Sequence, residues 1–256
     1  MEEPVSVTYE VRDRVAWITI DRPEARNALN AAVRAGILTA YERFAADDAA
    51  AVAVLTGAGD KAFCAGGDLK EMADTALKVP GRAFVPHLGR TVHVDKPVIA
   101  AVNGVAYAGG FLLAQSVDLV VAADHARFAI TEAKIGRGSP WAAPLPWLIP
   151  PRVAMEMVLT GDPISAQRAY ELGLVNKVVP AADLVAETQR LALTIAGNAP
   201  LSVRAGKAMV YASAEMGWSA ALDTADRIYE GVYLSEDAQE GPASFRDKRP
   251  PVWKGR

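Results

Sequence analysis

The chain has 256 residues, 51% hydrophobic and 22% charged, the composition of an ordered globular protein with a sizeable core and not of a disordered or fibrous one. Lys and Arg number 27 against 30 Asp and Glu, a formal charge of -3; this supplies no concentrated positive field, so nucleic acid is not an expected partner. The one cysteine, Cys64, has no intramolecular disulfide partner, and no Cys/His cluster suits a structural zinc. The acidic start MEEPVSVTYE lacks the basic and apolar regions of an export signal, so a reducing, cytoplasmic setting is expected.

In chain order, the β-branched runs 5–10 and 15–20 predict paired strands on either side of 11–14. Residues 29–44 place Leu29, Val33, Ile37, Leu38 and Tyr41 at helical spacing and predict a helix facing a core. A strand at 51–56 follows, then a short apolar piece at 62–65, a glycine pair and a helix over 68–72. The order recurs as strand 98–102, a glycine-containing loop, helix 109–116 and strands 119–122 and 127–130. The apolar stretch 97–114 approaches membrane-spanning length, but Asn103, Gly104, Gly109 and Gly110 interrupt it and Asp118 follows; a buried strand, turn and helix, with no membrane contact, are expected. The segment 140–151, PWAAPLPWLIPP, holds five prolines and predicts a rigid, partly apolar loop. Beyond it, helices are expected at 152–159, 166–172, 182–196 and 201–215, and a final one at 219–234. Gly197 is expected to close one of them in the αL conformation and Pro200 to open the next.

Two glycine-rich places follow strands and precede helices: KAFCAGGDLKEM at 61–72 and VIAAVNGVAYAGGFLLA at 98–114. Glycine lets backbone approach a ligand, and the first turn of a helix leaves N–H groups free to meet negative charge, so each is a candidate anion cradle, although either alone reads as a tight turn. Neither contains a Walker loop or a GxGxxG dinucleotide fingerprint, which disfavours ATP and NAD.

Together with DRPEARNALN at 21–30, AMEMVLTGDPISAQRAYELGLVNKVVP at 154–180 and ASFRDKRP at 243–250, these segments resemble the enoyl-CoA hydratase/isomerase, or crotonase, family over nearly the whole chain. The resemblance implies an α/β fold with a ββα-spiral acyl-CoA-binding core, here 1–195, and a helical C-terminal trimerisation region, 196–256. It also implies a coenzyme A thioester substrate, a homotrimer or a hexamer of paired trimers, and no cofactor or metal beyond the substrate's own CoA. Chemistry beside a thioester passes through an enolate, whose oxygen two backbone N–H donors can stabilise; matched to the family pattern, these are Gly67 and Gly109.

The family's hydratases resemble one another in using two glutamates. Here the second position is Glu132, in FAITEAKIG, and the first is Leu112, in AGGFLLA. Adding water calls for a group to orient it and a group to deliver a proton, whereas moving a double bond requires one group that takes a proton from one carbon and returns it to another. Leu112 with Glu132, and Ser139-Pro140-Trp141 where hydratases have a glycine-rich turn, therefore resemble the family's isomerases. Isomerisation is the favoured expectation; a hydratase or lyase using Glu132 and another polar group, and a non-catalytic acyl-CoA-binding protein, are the alternatives. Composition alone reads Glu132 as a surface carboxylate paired with Lys134 or Arg137, and Leu112 as core packing.

By the same resemblance Ala25 and Arg26 lie along the nucleotide, and Ala65, Asp68 and Leu69 line the adenine and pantetheine path. Leu112 and Trp141 shape the acyl pocket, while Phe245 and Lys248 reach CoA from the C-terminal tail, of the same or a neighbouring subunit, which is otherwise a solvated basic segment. Asp68 is also expected to cap the helix that it begins. Cys64 reads as a small packed side chain, and His87, His93, Tyr107 and Arg137 are candidates for polar contacts with substrate.

Overall fold

The structure, a computed structural model, describes residues 6–256. Strands β1 (Val7–Arg12) and β2 (Val15–Ile20) pair antiparallel around Asp13 and Arg14, both at positive φ, the turn geometry whose twist suits a hairpin. Val5, expected in the first strand, lies outside the described residues, as do residues 1–5 of the segment read for an export signal. Helix α1 (Ala31–Ala46) begins at Asn30, whose side chain accepts from the Val33 amide, and lays Val33, Ile37, Tyr41 and Phe44 into the core.

A strand–strand–helix unit then repeats: β3 (Val52–Gly57), β4 (Ala62–Cys64) and α2 (Leu69–Asp74); β5 (Val98–Val102), β6 (Val105–Tyr107) and α3 (Gly109–Ser116); and the strands β7 (Leu119–Ala123) and β8 (Arg127–Ala129). The chain continues through α4 (Leu145–Leu148), α5 (Pro151–Thr160), β9 (Ile164–Ser165), α6 (Ala166–Glu171), β10 (Lys177–Val179), α7 (Leu184–Ala196), α8 (Pro200–Ala214), α9 (Trp218–Tyr233) and α10 (Glu236–Arg246). The first strand of each unit enters a six-stranded sheet, β1-β2-β3-β5-β7-β10, and the second enters a four-stranded sheet, β4-β6-β8-β9. Among the described residues only β1–β2 and β8–β9 pair antiparallel. This alternation is the expected ββα spiral.

The large sheet is covered on both faces, so β5 is buried at every position, as in parallel sheets generally. Along β2 the period of two divides the side chains. Ala16, Ile18 and Ile20 join α1 and the small sheet in one core, while Val15 and Trp17 face Leu184, Ala192 and Ala196 of α7 in another. The boundary expected after residue 195 falls in the last turn of α7.

Several local expectations are corrected. The glycine-containing loop after β5 holds β6, and β9 and β10 are strands that the residue pattern does not predict; with two or three residues each, such strands show no readable alternation and form because neighbours supply partners. The helix over 219–234 is not the last, since α10 forms despite Pro242. Its start is capped by Ser235, which accepts from the Ala238 amide at 3.2 Å, and Glu240 is bound by Arg249. Gly197 ends α7 at φ -78, ψ -14, not in αL, because its N–H still bonds Leu193 O at 2.9 Å and continues the helical turn. The proline-rich segment is not loop throughout: a 3-10 turn, Pro140–Ala142, and α4 each take proline in the first turn, where no N–H is required. Among the described residues no helix is long and apolar enough to cross a membrane.

Candidate active site

Strands β4 and β6 are parallel neighbours, so the glycine turns at their carboxyl ends emerge side by side. The two turns touch: a Cβ on Gly66 would stand 2.8 Å from Ala108 Cβ and 3.0 Å from Tyr107 O. Gly66, at φ +100, takes a conformation that side chains rarely adopt. Ala108 enters α3 at φ 50, ψ -121, a strained backbone of the kind that concentrates at functional sites. Beyond these residues, the N–H groups of Gly67 and Gly109 donate to no acceptor among the described residues. Gly109 is the first residue of α3, where the helix has no carbonyl to offer its amide.

Asp68 caps α2 as expected, accepting from Lys70 N at 3.1 Å and Glu71 N at 3.3 Å, and it pairs with Arg22 at 3.2 Å. Burial works against its ionisation, but the Glu71 amide, Arg22 and the Lys70 amide outweigh this and hold the carboxyl below its usual range.

The turns border a cleft of about 690 Å³ whose lining includes Glu132. Glu132 sits in a 3-10 turn, Thr131–Ile135, that follows β8 after Ile130, and it is only 7% exposed. Its Oε1 accepts from the Trp141 indole Nε1 at 2.9 Å; Oε2 is buried with no partner among the described residues. Burial pushes this carboxyl above its ordinary value, against the opposing pull of its own backbone amide and the Trp141 indole. The surface ion pair is not formed: Lys134 binds Asp162 and Arg137 donates to Leu77 O. Of the other lining carboxylates, Asp68 is paired with Arg22, and the exposed Glu24 lies 4.0 Å from the same guanidinium. Leu112, buried in α3, contributes an apolar wall.

Ala25, Ala65, Gly67, Asp68, Leu69, Gly109, Leu112, Glu132 and Trp141 thus share one cleft, with Arg137 also in its lining. Arg26 lines a smaller neighbouring cavity beside Asn27 and Lys61. Phe245 is 87% exposed on α10, and Lys248, at φ 53, follows that helix; neither lines the cleft. His93 borders a separate cavity between the 88–95 segment and helices α8 and α9. His87 and Tyr107 are absent from the cleft lining. Met72, Phe84 and Val85 are lining residues that the motifs did not single out. Met72 brings its methyl to 2.1 Å from where a Gly67 Cβ would stand; its place in the first glycine motif was the available signal. Phe84 and Val85 lie in irregular chain with no periodic signal.

A family profile described as Enoyl-CoA hydratase/isomerase matches residues 10–256. The chain belongs to the enoyl-CoA hydratase/isomerase family. Among curated members, the carnitinyl-CoA dehydratase of Salmonella typhi is 42% identical over 249 residues, 93% of this chain and 94% of that protein. Among solved members, enoyl-CoA hydratase EchA1 from Mycobacterium marinum superposes with a TM-score of 0.89 at 39% identity, covering 98% of this chain and 100% of that one. An enoyl-CoA hydratase from Mycobacterium tuberculosis H37Rv gives 0.90 at 39% identity, with 98% and 100% covered. This member of the enoyl-CoA hydratase/isomerase family is accordingly an enzyme with the crotonase fold.

Proposed function

We propose that the enzyme moves a double bond within an enoyl-CoA, taking a 3-enoyl thioester to its 2-enoyl isomer through an enolate. The observation that carries this reading is Glu132, a buried carboxylate in the lining of the cleft whose Oε2 has no partner among the described residues, with Leu112 at the position that the family resemblance gives to a second glutamate. Glu132 takes a proton from C2, the electron pair moves onto the thioester oxygen between the Gly67 and Gly109 amides, and the proton returns at C4 as the double bond shifts. One acid that shuttles one proton completes this balance without an activated water. The CoA arm runs along Ala25, Ala65, Asp68 and Leu69, and the groups required are those of the protein and substrate alone.

The likeness to carnitinyl-CoA dehydratases favours a second reading, in which Glu132 takes the C2 proton of a 3-hydroxyacyl-CoA and returns it to the departing hydroxyl as water. Purified enzyme given 3-enoyl-CoA and, separately, 2-enoyl-CoA decides between them. Fast migration with slow water addition supports isomerisation; fast water addition without migration overturns it in favour of the second reading.

The C-terminal region, 196–256, is proposed to mediate a homotrimer or paired trimers, in which Phe245 and Lys248 reach a neighbour's CoA. The exposed apolar side chains Trp218, Leu222, Tyr233 and Leu234 support this, and light scattering tests it.

A further inference from the structure

We propose that Trp141 is a positioning residue, whose indole N–H occupies one oxygen of Glu132 and so dedicates the other to proton transfer. The proposal rests on the reading of Glu132 as the proton-transfer group. A carboxylate that rotates freely exchanges its two oxygens, and only one of them can face the reacting carbons at a time. In this site the exchange is blocked, because Nε1 donates to Oε1 at 2.9 Å while Oε2 has no partner among the described residues. Indole nitrogen is a donor and never an acceptor. It therefore supports Oε1 as an acceptor throughout, and an incoming proton resides on Oε2.

The donor is itself held. Trp141 is 8% exposed, and its ring stands edge-on to Phe111 with centroids 5.9 Å apart and planes at 86°. Its carbonyl accepts from Gln115 Nε2 at 2.8 Å. Phe111 and Gln115 both belong to α3, whose first residue is Gly109. One helix thus carries an amide of the proposed oxyanion site at its start and, further along, the two contacts that hold the ring aiming the acid. The distance between enolate oxygen and proton carrier is set through a single rigid element, the arrangement that preorganised catalysis requires.

A ring that merely filled space would be replaceable by phenylalanine. In Trp141→Phe, we expect kcat to fall about tenfold, as for loss of one hydrogen bond to a charged group, with KM little changed. The acid limb of the kcat/KM profile moves upward, because the ionised carboxylate has lost its donor. An acid limb that stays in place, with changes confined to KM or Tm, overturns the proposal.

Should that variant fail to fold, the wild-type protein labelled with ¹⁵N at its indoles decides. Of the five tryptophans, Trp17 donates to Gln189 and Trp253 to the Gly197 carbonyl, and Trp147 and Trp218 are exposed. One indole resonance should therefore titrate with the acid limb and lose its pH dependence in Glu132→Gln; a spectrum without such a resonance refutes the proposal. Full activity in Glu132→Gln would defeat the reading of Glu132 itself. An enzyme that depends on Glu132 but whose acid limb ignores Trp141→Phe would defeat the positioning role alone.

Discussion

Gly110 in α3 lies so close to Cys64 in β4 that a Cβ on it would stand 2.1 Å from the Cys64 carbonyl oxygen. Backbone cannot give way there as a side chain can. Gly110→Ala should therefore destabilise the protein by about 3 kcal/mol through overpacking, against the roughly 1 kcal/mol that alanine ordinarily gains over glycine in a helix. It should also lower activity, because the displaced helix begins with Gly109. Gly109→Ala is the comparison: its Cβ would meet the flexible Leu29 Cδ1 at 2.9 Å and should cost less. Urea unfolding of both variants checks the order.

The thiol of Cys64 is fully buried, and burial pushes it up to about 12 against the opposing Gly66 amide. A thiol that is not ionised and not reachable does not attack disulfide reagents. In native protein at pH 8, Cys64 should be silent toward such a reagent and should react only as fast as the chain opens. Labelling at rising urea concentrations, compared with fluorescence-detected unfolding, tests this.

Glu132→Gln should lower kcat by about 10² to 10⁴, the usual contribution of a positioned acid or base, and should also stabilise the fold at neutral pH. The sign follows from the raised carboxyl: between the unfolded and folded values the native state holds the proton more tightly, so native stability falls as pH rises through that window. Glutamine escapes this loss. The variant's excess in Tm should be largest at neutral pH and should shrink toward zero as pH drops below the ordinary glutamate value. A constant excess across that range would contradict the assignment of burial as the cause.

Leu112→Glu places a carboxylate where the family resemblance puts a second glutamate. It should raise the ratio of water addition to double-bond migration by about 10²-fold, the lower end of general acid–base effects. It should also cost about 1 to 3 kcal/mol, because a polar group replaces a side chain only 5% exposed. The product ratio with 2-enoyl-CoA and 3-enoyl-CoA, beside a thermal melt, gives both numbers.

Much of this protein was legible in its residues. Long periodic segments such as α1 and the buried run of β5 carry enough positions for a helical or strand pattern to emerge. Asp68 before a helix announced a cap, and two glycine pairs after strands announced turns with free amides. The family resemblance supplied the order in which those turns meet.

The local pattern did not reach contacts whose two sides lie on different elements. Composition offered Glu132 a surface pair with Lys134 or Arg137, yet those cations bind Asp162 and the Leu77 carbonyl, while Glu132 is buried beneath an indole. Three-residue β6 forms because β4 and β8 flank it, and it is this pairing that sets Gly66 beside Ala108 and Gly109. Chain chemistry by itself determined which groups were present and where the backbone could turn. Tertiary packing alone decided which carboxylate lost its water and which oxygen was left unpaired, because desolvation and donor geometry are properties of neighbours brought together by folding.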